Sequence, residues 1–183
     1  MTTQRLFVAL PLPGPVRDAL LTLACPLTGV SWTRPEQLHL TLRFLGDVPV
    51  EKLERIQTHL AAVRVEPFIL PIEGLGTFPP KSPPRMVWAG VGRGHPHLHQ
   101  LRQRVDNALL TAGLLGLDVR TFHPHITLAR GTEKAASAIS RWVHTQPDFV
   151  GPPFRVNTFE LVASELQPAG AVHTVVQRFA LAK

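Results

Sequence analysis

The sequence predicts an α+β fold built from a duplicated unit, with two lobes related by an approximate two-fold axis. Strand-like and helix-like segments alternate between the 18 prolines of the chain. His39-Leu40-Thr41-Leu42 matches His125-Ile126-Thr127-Leu128 at an offset of 86 residues, and Pro67-Phe68 matches Pro153-Phe154 at that same offset. The two His-x-Thr strands are therefore expected to face each other across a groove between the lobes.

Each half of the chain reads as a strand, a helix, a His-x-Thr strand, a second helix and a long strand. The predicted strands are 5–12, 38–45, 67–78, 85–91, 122–129, 154–164 and 172–181. The predicted helices are 14–24, 50–63, 96–112 and 133–143. Segment 85–91 takes the place of 5–12 in the second half.

The third helix has the clearest amphipathic spacing. Its apolar stripe runs through Leu98, Leu101, Val105 and Leu109, and its polar residues lie off that stripe. Gly113 follows at the position where a helix is expected to end.

Composition indicates a globular protein with a single domain, 1–183. Hydrophobic residues make up 44% of the 183 residues and charged residues 17%, which excludes a disordered chain. The 19 Lys and Arg outnumber the 13 Asp and Glu, and the net charge of +6 favours an anionic partner such as a phosphate or nucleic acid.

The single cysteine and the short apolar runs indicate in which cellular compartment the protein is expected. Cys25 alone allows neither an internal disulfide nor a cysteine zinc site, which fits a reducing, cytoplasmic setting. The apolar run 6–12 has no cleavage site nearby, and no run approaches the roughly 20 residues of a membrane span. We expect a soluble, cytoplasmic protein with no membrane contact.

The His-x-Thr motifs place an imidazole and a hydroxyl side by side, twice. Strict strand alternation directs His39, Thr41 and Arg43 to one face and Leu40, Leu42 and Phe44 to the other. In the second copy, alternation places His125 and Thr127 together and directs Ile126 away from them.

Paired imidazoles suit the in-line cleavage of a phosphodiester, because one can take a proton from the attacking water while the other protonates the departing oxygen. Histidine serves both roles, since its unperturbed pKa of about 6.5 lies close to working pH. No metal or other cofactor is required if hydrogen-bond donors such as Thr41 and Thr127 stabilise the phosphoryl oxygens. The spacing alone leaves the two histidine roles interchangeable.

Several segments together resemble one known family. They are Arg5-Leu6-Phe7-Val8-Ala9-Leu10, the run from His39 to Gly46, the run from Phe122 to Arg130, and Ser164-Glu165-Leu166. The chain resembles, over nearly its whole length, the two-histidine (2H) phosphoesterase superfamily, and within it the RNA 2′,3′-cyclic phosphodiesterases, also called 2′-5′ RNA ligases.

This resemblance implies a bilobal fold with two antiparallel sheets facing a central groove and helices on the outside. It implies that His39 is the proton donor and His125 the proton acceptor, and that a 2′,3′-cyclic phosphate opens to a 2′-phosphate. It also implies a reverse joining of RNA ends through a 2′-5′ linkage. The expected partners are RNA ends or small cyclic nucleotides, and the protein is expected to be a monomer. Where relatives often carry a tyrosine in the penultimate strand, this sequence has His173.

Four further residues are candidates for substrate binding: Arg130, Arg43, Phe7 and Phe44. Arg130 matches an arginine of the family, although strict alternation places it opposite His125. Arg43 satisfies alternation better, but an ordinary surface arginine is the simpler interpretation. The aromatic side chains, Trp88 among them, could stack on a base, although alternation favours core packing for Phe44.

The remaining histidines receive weaker interpretations. His95, His97 and His99 form a cluster that could bind a metal ion, but Pro96 predicts a helix start there, which favours a polar first turn. His123 is a possible partner of His125, and His59, His144 and His173 are given no role.

Three other functions stay open. The chain could be an RNA-binding or end-joining protein with incidental hydrolysis, which the basic charge also fits. It could be a metal-dependent hydrolase using His95, His97, His99, His123 and His125, although it has no His-Glu-x-x-His motif. It could also be a 2H enzyme acting on another cyclic or 2′-5′ phosphodiester.

Overall fold

A computed structural model describes residues 2–80, 82–92, 95–114, 121–146, 148–168 and 170–183. The described helices are α1 (Gly14–Leu21), α2 (Leu53–Ala61), α3 (Pro96–Thr111) and α4 (Ala136–His144). The described strands are β1 (Thr3–Pro11), β2 (Val30–Trp32), β3 (His39–Pro49), β4 (Phe68–Glu73), β5 (Leu75–Phe78), β6 (Met86–Gly90), β7 (His125–Gly131), β8 (Val150–Val156), β9 (Thr158–Gln167) and β10 (Gly170–Ala180). The predicted α+β class with two antiparallel sheets is confirmed.

The described strands divide into a large and a small sheet. The large sheet has the order β10-β9-β1-β3-β7-β6-β5, with β2 also paired to β7, and the small sheet pairs β4 with β8. Among the described residues, the register between β3 and β7 consists of Leu40 opposite Ile126. Strands β3 and β7 thus join at one residue pair, and the two halves also pair through β1 with β9, β2 with β7 and β5 with β6, which makes one large sheet.

The strand register follows the duplication seen in the sequence. Leu40 and Ile126 are equivalent residues of the two repeats, 86 positions apart. In the small sheet Phe68 lies opposite Val156 while Leu70 lies opposite Phe154, which is the same pairing with the repeats exchanged. An approximate two-fold axis therefore passes through both sheets.

Each His-x-Thr strand contains a β-bulge at the same place in the repeat. Between β1 and β3 the pairing passes from Thr41 directly to Arg43, and between β6 and β7 it passes from Thr127 directly to Ala129. Leu42 and Leu128 are the extra residues, and in each strand the extra residue and the one after it, Arg43 or Ala129, are both buried. The bulge shifts alternation by one position for the residues that follow.

The helices and the small sheet cover one face of the large sheet. Side chains from α1 to α4 and from the inner face of the strands form one buried cluster. The predicted stripe of α3 is confirmed, since Leu98, Leu101, Val105 and Leu109 are all fully buried, each contributing roughly 1.5–3 kcal/mol through burial. Gly113 ends this helix with a φ of 82°, and the N–H of Leu114 donates to the carbonyl of Leu109 at 3.0 Å.

The two long predicted strands are each divided. Segment 67–78 becomes β4 and β5 at Gly74, and the second long strand breaks at Asn157 between β8 and β9. In each case the first part belongs to the small sheet and the second to the large sheet, so the chain changes sheets at the break. The three-residue strand β2 was not predicted.

No helix in the described part of the chain has the length and apolar character needed to cross a membrane.

Candidate active site

His39 lies at the start of β3, on the face of the large sheet that the helices leave uncovered, which we call the open face. Its Nδ1–H donates to the carbonyl of Gln37 at 2.6 Å, and its Nε2 lies 3.1 Å from the hydroxyl oxygen of Thr41. Because Nδ1 carries the proton in this arrangement, the Nε2 of the neutral ring accepts from the threonine. The nitrogen that can exchange a proton with a ligand is therefore Nε2.

His125 repeats this arrangement at the start of β7. Its Nδ1–H donates to the carbonyl of His123 at 2.7 Å. Gln37 and His123 occupy equivalent positions of the two repeats, 86 residues apart, so the same backbone turn orients both imidazoles. Each His-x-Thr strand thus delivers one ring with a fixed tautomer and an available Nε2.

Burial makes both rings resist protonation. It lowers the pKa of His39 to about 4; the carbonyl of Gln37 opposes this shift, while the charges of His173 and His125 add to it. Burial is also the main cause of the lowered pKa of His125, with further contributions from His123 and Arg130. His125 is close enough for its charge to act on His39, and His39 is neutral at pH 7 in the unliganded site.

The two threonines differ in their partners. The Thr41 hydroxyl bonds to His39, whereas the Thr127 hydroxyl donates to the sulfur of Met86 at 3.7 Å. Met86 lies opposite Arg130 on β6, the place that Phe7 takes opposite Phe44 on β1. The duplicated backbone therefore carries different side chains in its two halves.

Aromatic rings surround His39 in the first half of the open face. The Phe7 ring centroid lies 4.8 Å from that of His39, 5.0 Å from His173 and 6.0 Å from Phe44. Phe44 is 65% exposed. The predicted core position of Phe44 is wrong, because the bulge at Leu42 returns it to the side of His39.

The environment of His125 combines aromatic rings with a cation. Phe78 lies 5.2 Å from both His123 and His125, and Trp88 packs 4.8 Å from His123. Arg130 is exposed and close enough to lower the pKa of His125. Strict alternation had placed Arg130 opposite His125, but the bulge at Leu128 brings it to the same side, at the position equivalent to Phe44.

Arg43 does not lie with His39, and its prediction as a substrate contact is corrected. The side chain is 8% exposed and forms two hydrogen bonds with Asp106 of α3, from Nε at 2.7 Å and from Nη2 at 2.5 Å. Arg102 also binds Asp106, with Nε 2.8 Å from Oδ2. The bulge turns Arg43 into the helical layer, where its charge is neutralised.

The three histidines at the start of α3 pack against phenylalanine rings. His95 and His97 stack on Phe68 with centroids at 5.0 and 5.7 Å, and His99 meets Phe122 edge-on at 5.5 Å. Helix α3 begins at Pro96, as predicted. Within the described ranges no three His, Cys, Asp or Glu side chains come together as a metal-binding group.

His173 joins this site, although the sequence marked it only as standing where relatives often carry a tyrosine. Its ring on β10 lies 5.3 Å from His39 and 5.0 Å from Phe7. Among the described strands, β10 has no counterpart in the first repeat, so the offset of 86 residues could not identify His173. Pairing of β10 with β9, and of β9 with β1, brings it to the site.

Solved structures similar to this chain include one described as a phosphoesterase and several of LigT. A structure described as a phosphoesterase matches over 100% of both chains with a TM-score of 0.84 and 29% identity. The structure of Escherichia coli LigT complexed with 3′-AMP matches over 100% of both chains with a TM-score of 0.78 and 27% identity.

Sequence relatives carry the name RNA 2′,3′-cyclic phosphodiesterase. That of Archaeoglobus fulgidus is 33% identical over 178 residues, which is 96% of this chain and 99% of the relative. Relatives from Aeropyrum pernix and Geobacillus stearothermophilus are each 38% identical, over 63% and 71% of this chain and over 63% and 43% of their own lengths. A model of the LigT-like phosphoesterase family matches residues 10–88 and 92–173. The resemblance seen in the motifs is confirmed, and the chain belongs to the LigT-like phosphoesterases, a 2H phosphoesterase family.

Proposed function

We propose that this chain hydrolyses RNA 2′,3′-cyclic phosphates to 2′-phosphomonoesters, with His39 as proton donor and His125 as proton acceptor. The observation that carries the proposal is the repeated geometry of the two imidazoles. Each ring is held through Nδ1 by the carbonyl two residues earlier, and each leaves Nε2 for proton exchange. The names of the relatives supply the substrate class.

The reaction we propose is an in-line displacement at phosphorus. His125 Nε2 takes a proton from water as the water oxygen bonds to phosphorus, and His39 gives its Nε2 proton to the 3′ oxygen as the P–O3′ bond breaks. The product is a 2′-phosphomonoester with a free 3′ hydroxyl. His125 then loses its proton and His39 regains one, which restores the enzyme.

The donor role requires a protonated His39, although its pKa is about 4 in the unliganded site. A cyclic phosphate carries one negative charge, and an anion beside an imidazole stabilises the charged ring. Substrate binding is therefore expected to raise the pKa of His39 towards neutral pH. His39 is therefore expected to become protonated when the substrate binds.

The phosphoryl oxygens need donors of their own as charge develops. Thr41 and Thr127 lie two residues after the histidines on their strands, and Arg130 provides the exposed cation beside His125. Preorganised donors in such sites typically contribute roughly 3–4 kcal/mol each to transition-state stabilisation.

The base of the terminal nucleotide is expected to contact the exposed ring of Phe44. Phe44 is 65% exposed, whereas Phe7 is only 3% exposed and packs against both Phe44 and His39. Stacking of a base on such a ring contributes about 1–3 kcal/mol and tolerates all four bases. RNA ends and small cyclic nucleotides both satisfy this arrangement, and reversal of the same steps would join RNA ends through a 2′-5′ linkage.

The test is hydrolysis of the four 2′,3′-cyclic nucleotides, with the product isomer identified by chromatography against 2′- and 3′-phosphate standards. We expect the 2′ isomer from all four. His39→Ala and His125→Ala should each lose roughly 10²–10⁴-fold in kcat while keeping the melting behaviour of a folded protein. The matched control is His144→Ala, because His144 lies at the end of α4 with its Nδ1 bonded to the carbonyl of Ser140.

Three outcomes would contradict the proposal. A 3′-phosphate product would reverse the leaving group, and full activity in either histidine variant would remove that ring from the chemistry. Loss of activity in excess EDTA, restored by added zinc, would favour the metal-dependent alternative.

A further inference from the structure

His173 contacts the proposed donor directly. The His173 and His39 rings meet edge-on, with centroids 5.3 Å apart and planes at 76°. The ring of Phe7, on β1, packs against both histidines, with its centroid 5.0 Å from that of His173 and 4.8 Å from that of His39. The three rings form one packed group, which we call the donor cluster.

The backbone ties His173 to the turn that orients His39. The side-chain amide of Gln37 donates a hydrogen bond to the carbonyl of Ala171, two residues before His173 on β10. The carbonyl of the same Gln37 accepts from His39 Nδ1. One residue therefore fixes both the strand that carries His173 and the ring that His173 packs against.

Most groups around His39 oppose a positive charge on it, whereas the carbonyl of Gln37, which accepts from Nδ1, favours that charge. From β10 it faces His173, from β7 it faces His125, from β1 it faces the apolar ring of Phe7, and on its own strand it meets the Thr41 hydroxyl. Within the described chain, the charged groups found to act on His39 are those two histidines, and both disfavour its protonation. His173 is half-buried, and burial lowers its own pKa as well, so its charge acts on His39 mainly below neutral pH.

We propose that His173 is a positioning residue for His39. Its ring limits the tilt of the donor imidazole, and where His173 is protonated its charge disfavours protonation of His39. The inference rests on the proposed function, in which His39 is the donor. His173 itself does not have to touch the reacting atoms.

Two substitutions separate the ring from the charge. His173→Phe keeps an aromatic ring of similar size and removes the ionisable group, whereas His173→Ala removes both. The control is His144→Phe, which makes the same chemical change on α4, away from the donor cluster. Each protein is studied as the full chain.

The first measurement is an NMR titration of the His39 imidazole, assigned by its absence in His39→Ala, with and without inorganic phosphate. In the wild type, phosphate should raise the pKa of His39. In His173→Phe without phosphate this pKa should already be higher than in the wild type, while His144→Phe should leave it unchanged. This readout needs no turnover, so it decides the inference even if cyclic nucleotides prove not to be the substrate.

The second measurement is the pH dependence of kcat and kcat/KM with a cyclic nucleotide. His173→Phe should keep kcat within a few-fold of the wild type and shift the limb of kcat/KM controlled by His39 to higher pH. His173→Ala should lose about tenfold in kcat, less than the roughly 10²–10⁴-fold contributed by a general acid. An unchanged His39 titration in His173→Phe would overturn the inference, and so would a loss in His173→Phe as large as in His39→Ala.

Discussion

Leu40 and Ile126 form the pair through which β3 meets β7, and each immediately follows a proposed catalytic histidine. They are equivalent residues of the two repeats, so the pair lies on the approximate two-fold axis. Both side chains are fully buried. Because the pair adjoins both histidines, the relative placement of His39 and His125 is expected to depend on it.

Ile126→Ala tests that dependence. Removal of a buried isoleucine typically costs about 2–5 kcal/mol in unfolding free energy, and here the space opens directly beneath the histidines. We expect kcat to fall by at least tenfold. Leu109→Ala, in the fully buried stripe of α3, is the matched control and should cost similar stability with little loss of kcat. Equal kcat values in the two variants would show that the pair does not position the rings.

Asp106→Asn should destabilise the protein without changing KM. The substitution leaves the buried charge of Arg43, and that of Arg102, facing a neutral amide, and breaking a buried pair of this kind costs about 3–5 kcal/mol. Arg43→Met together with Asp106→Leu removes both charges of that pair and should recover part of the loss. Denaturant unfolding gives the free energies, and a rise in KM would instead place Arg43 near the substrate.

Arg130→Met should weaken substrate binding without changing the stability of the protein. The side chain is exposed, so the free energy of unfolding should stay within about 0.5 kcal/mol of the wild-type value. Removing the cation should weaken phosphate binding and raise the pKa of His125, because Arg130 contributes to lowering it. Steady-state kinetics and an NMR titration of His125 test the two effects, and Arg5→Met provides a control on β1.

Phe44→Ala should raise KM without loss of stability. The ring is 65% exposed, and loss of base stacking worth about 1–3 kcal/mol corresponds to a KM increase of roughly 5- to 150-fold. Leu166→Ala, at a residue that is 71% exposed on β9, is the control. An unchanged KM with all four cyclic nucleotides would remove Phe44 from the binding surface.

Stability should fall as the pH drops from 6.5 towards 4. In this window the unfolded chain protonates His39 near its ordinary pKa of 6.5, whereas the folded chain, with a pKa of about 4, does not. The unfolded state therefore binds more protons, and each such group contributes a slope of up to about 1.4 kcal/mol per pH unit. His39→Gln should flatten the dependence, measured by denaturant unfolding at a series of pH values. A wild-type curve that is level across this range would contradict the lowered pKa.

The sequence predicted most of the elements because their patterns are local. The stripe of α3 and the glycine after it define that helix, and the repeated His-x-Thr motif identified both strands of the site. It failed for Arg43 and Phe44 because alternation assumes a regular strand, and nothing in the residues from Thr41 to Phe44 marks a bulge. It failed for His173 because contact with His39 arises from strand pairing across the fold, which one sequence does not encode as a pattern.

The two bulges have a consequence for the direction of the reaction. A cleft with perfect two-fold symmetry would accept a cyclic phosphate in two opposite orientations, and cleavage would release either ribose oxygen. Because equivalent bulges present the phenyl ring of Phe44 in one half and the guanidinium of Arg130 in the other, we expect the nucleoside and the phosphate to bind at different walls. A cyclic phosphate would then enter in one orientation, and the same ribose oxygen would always be the leaving group.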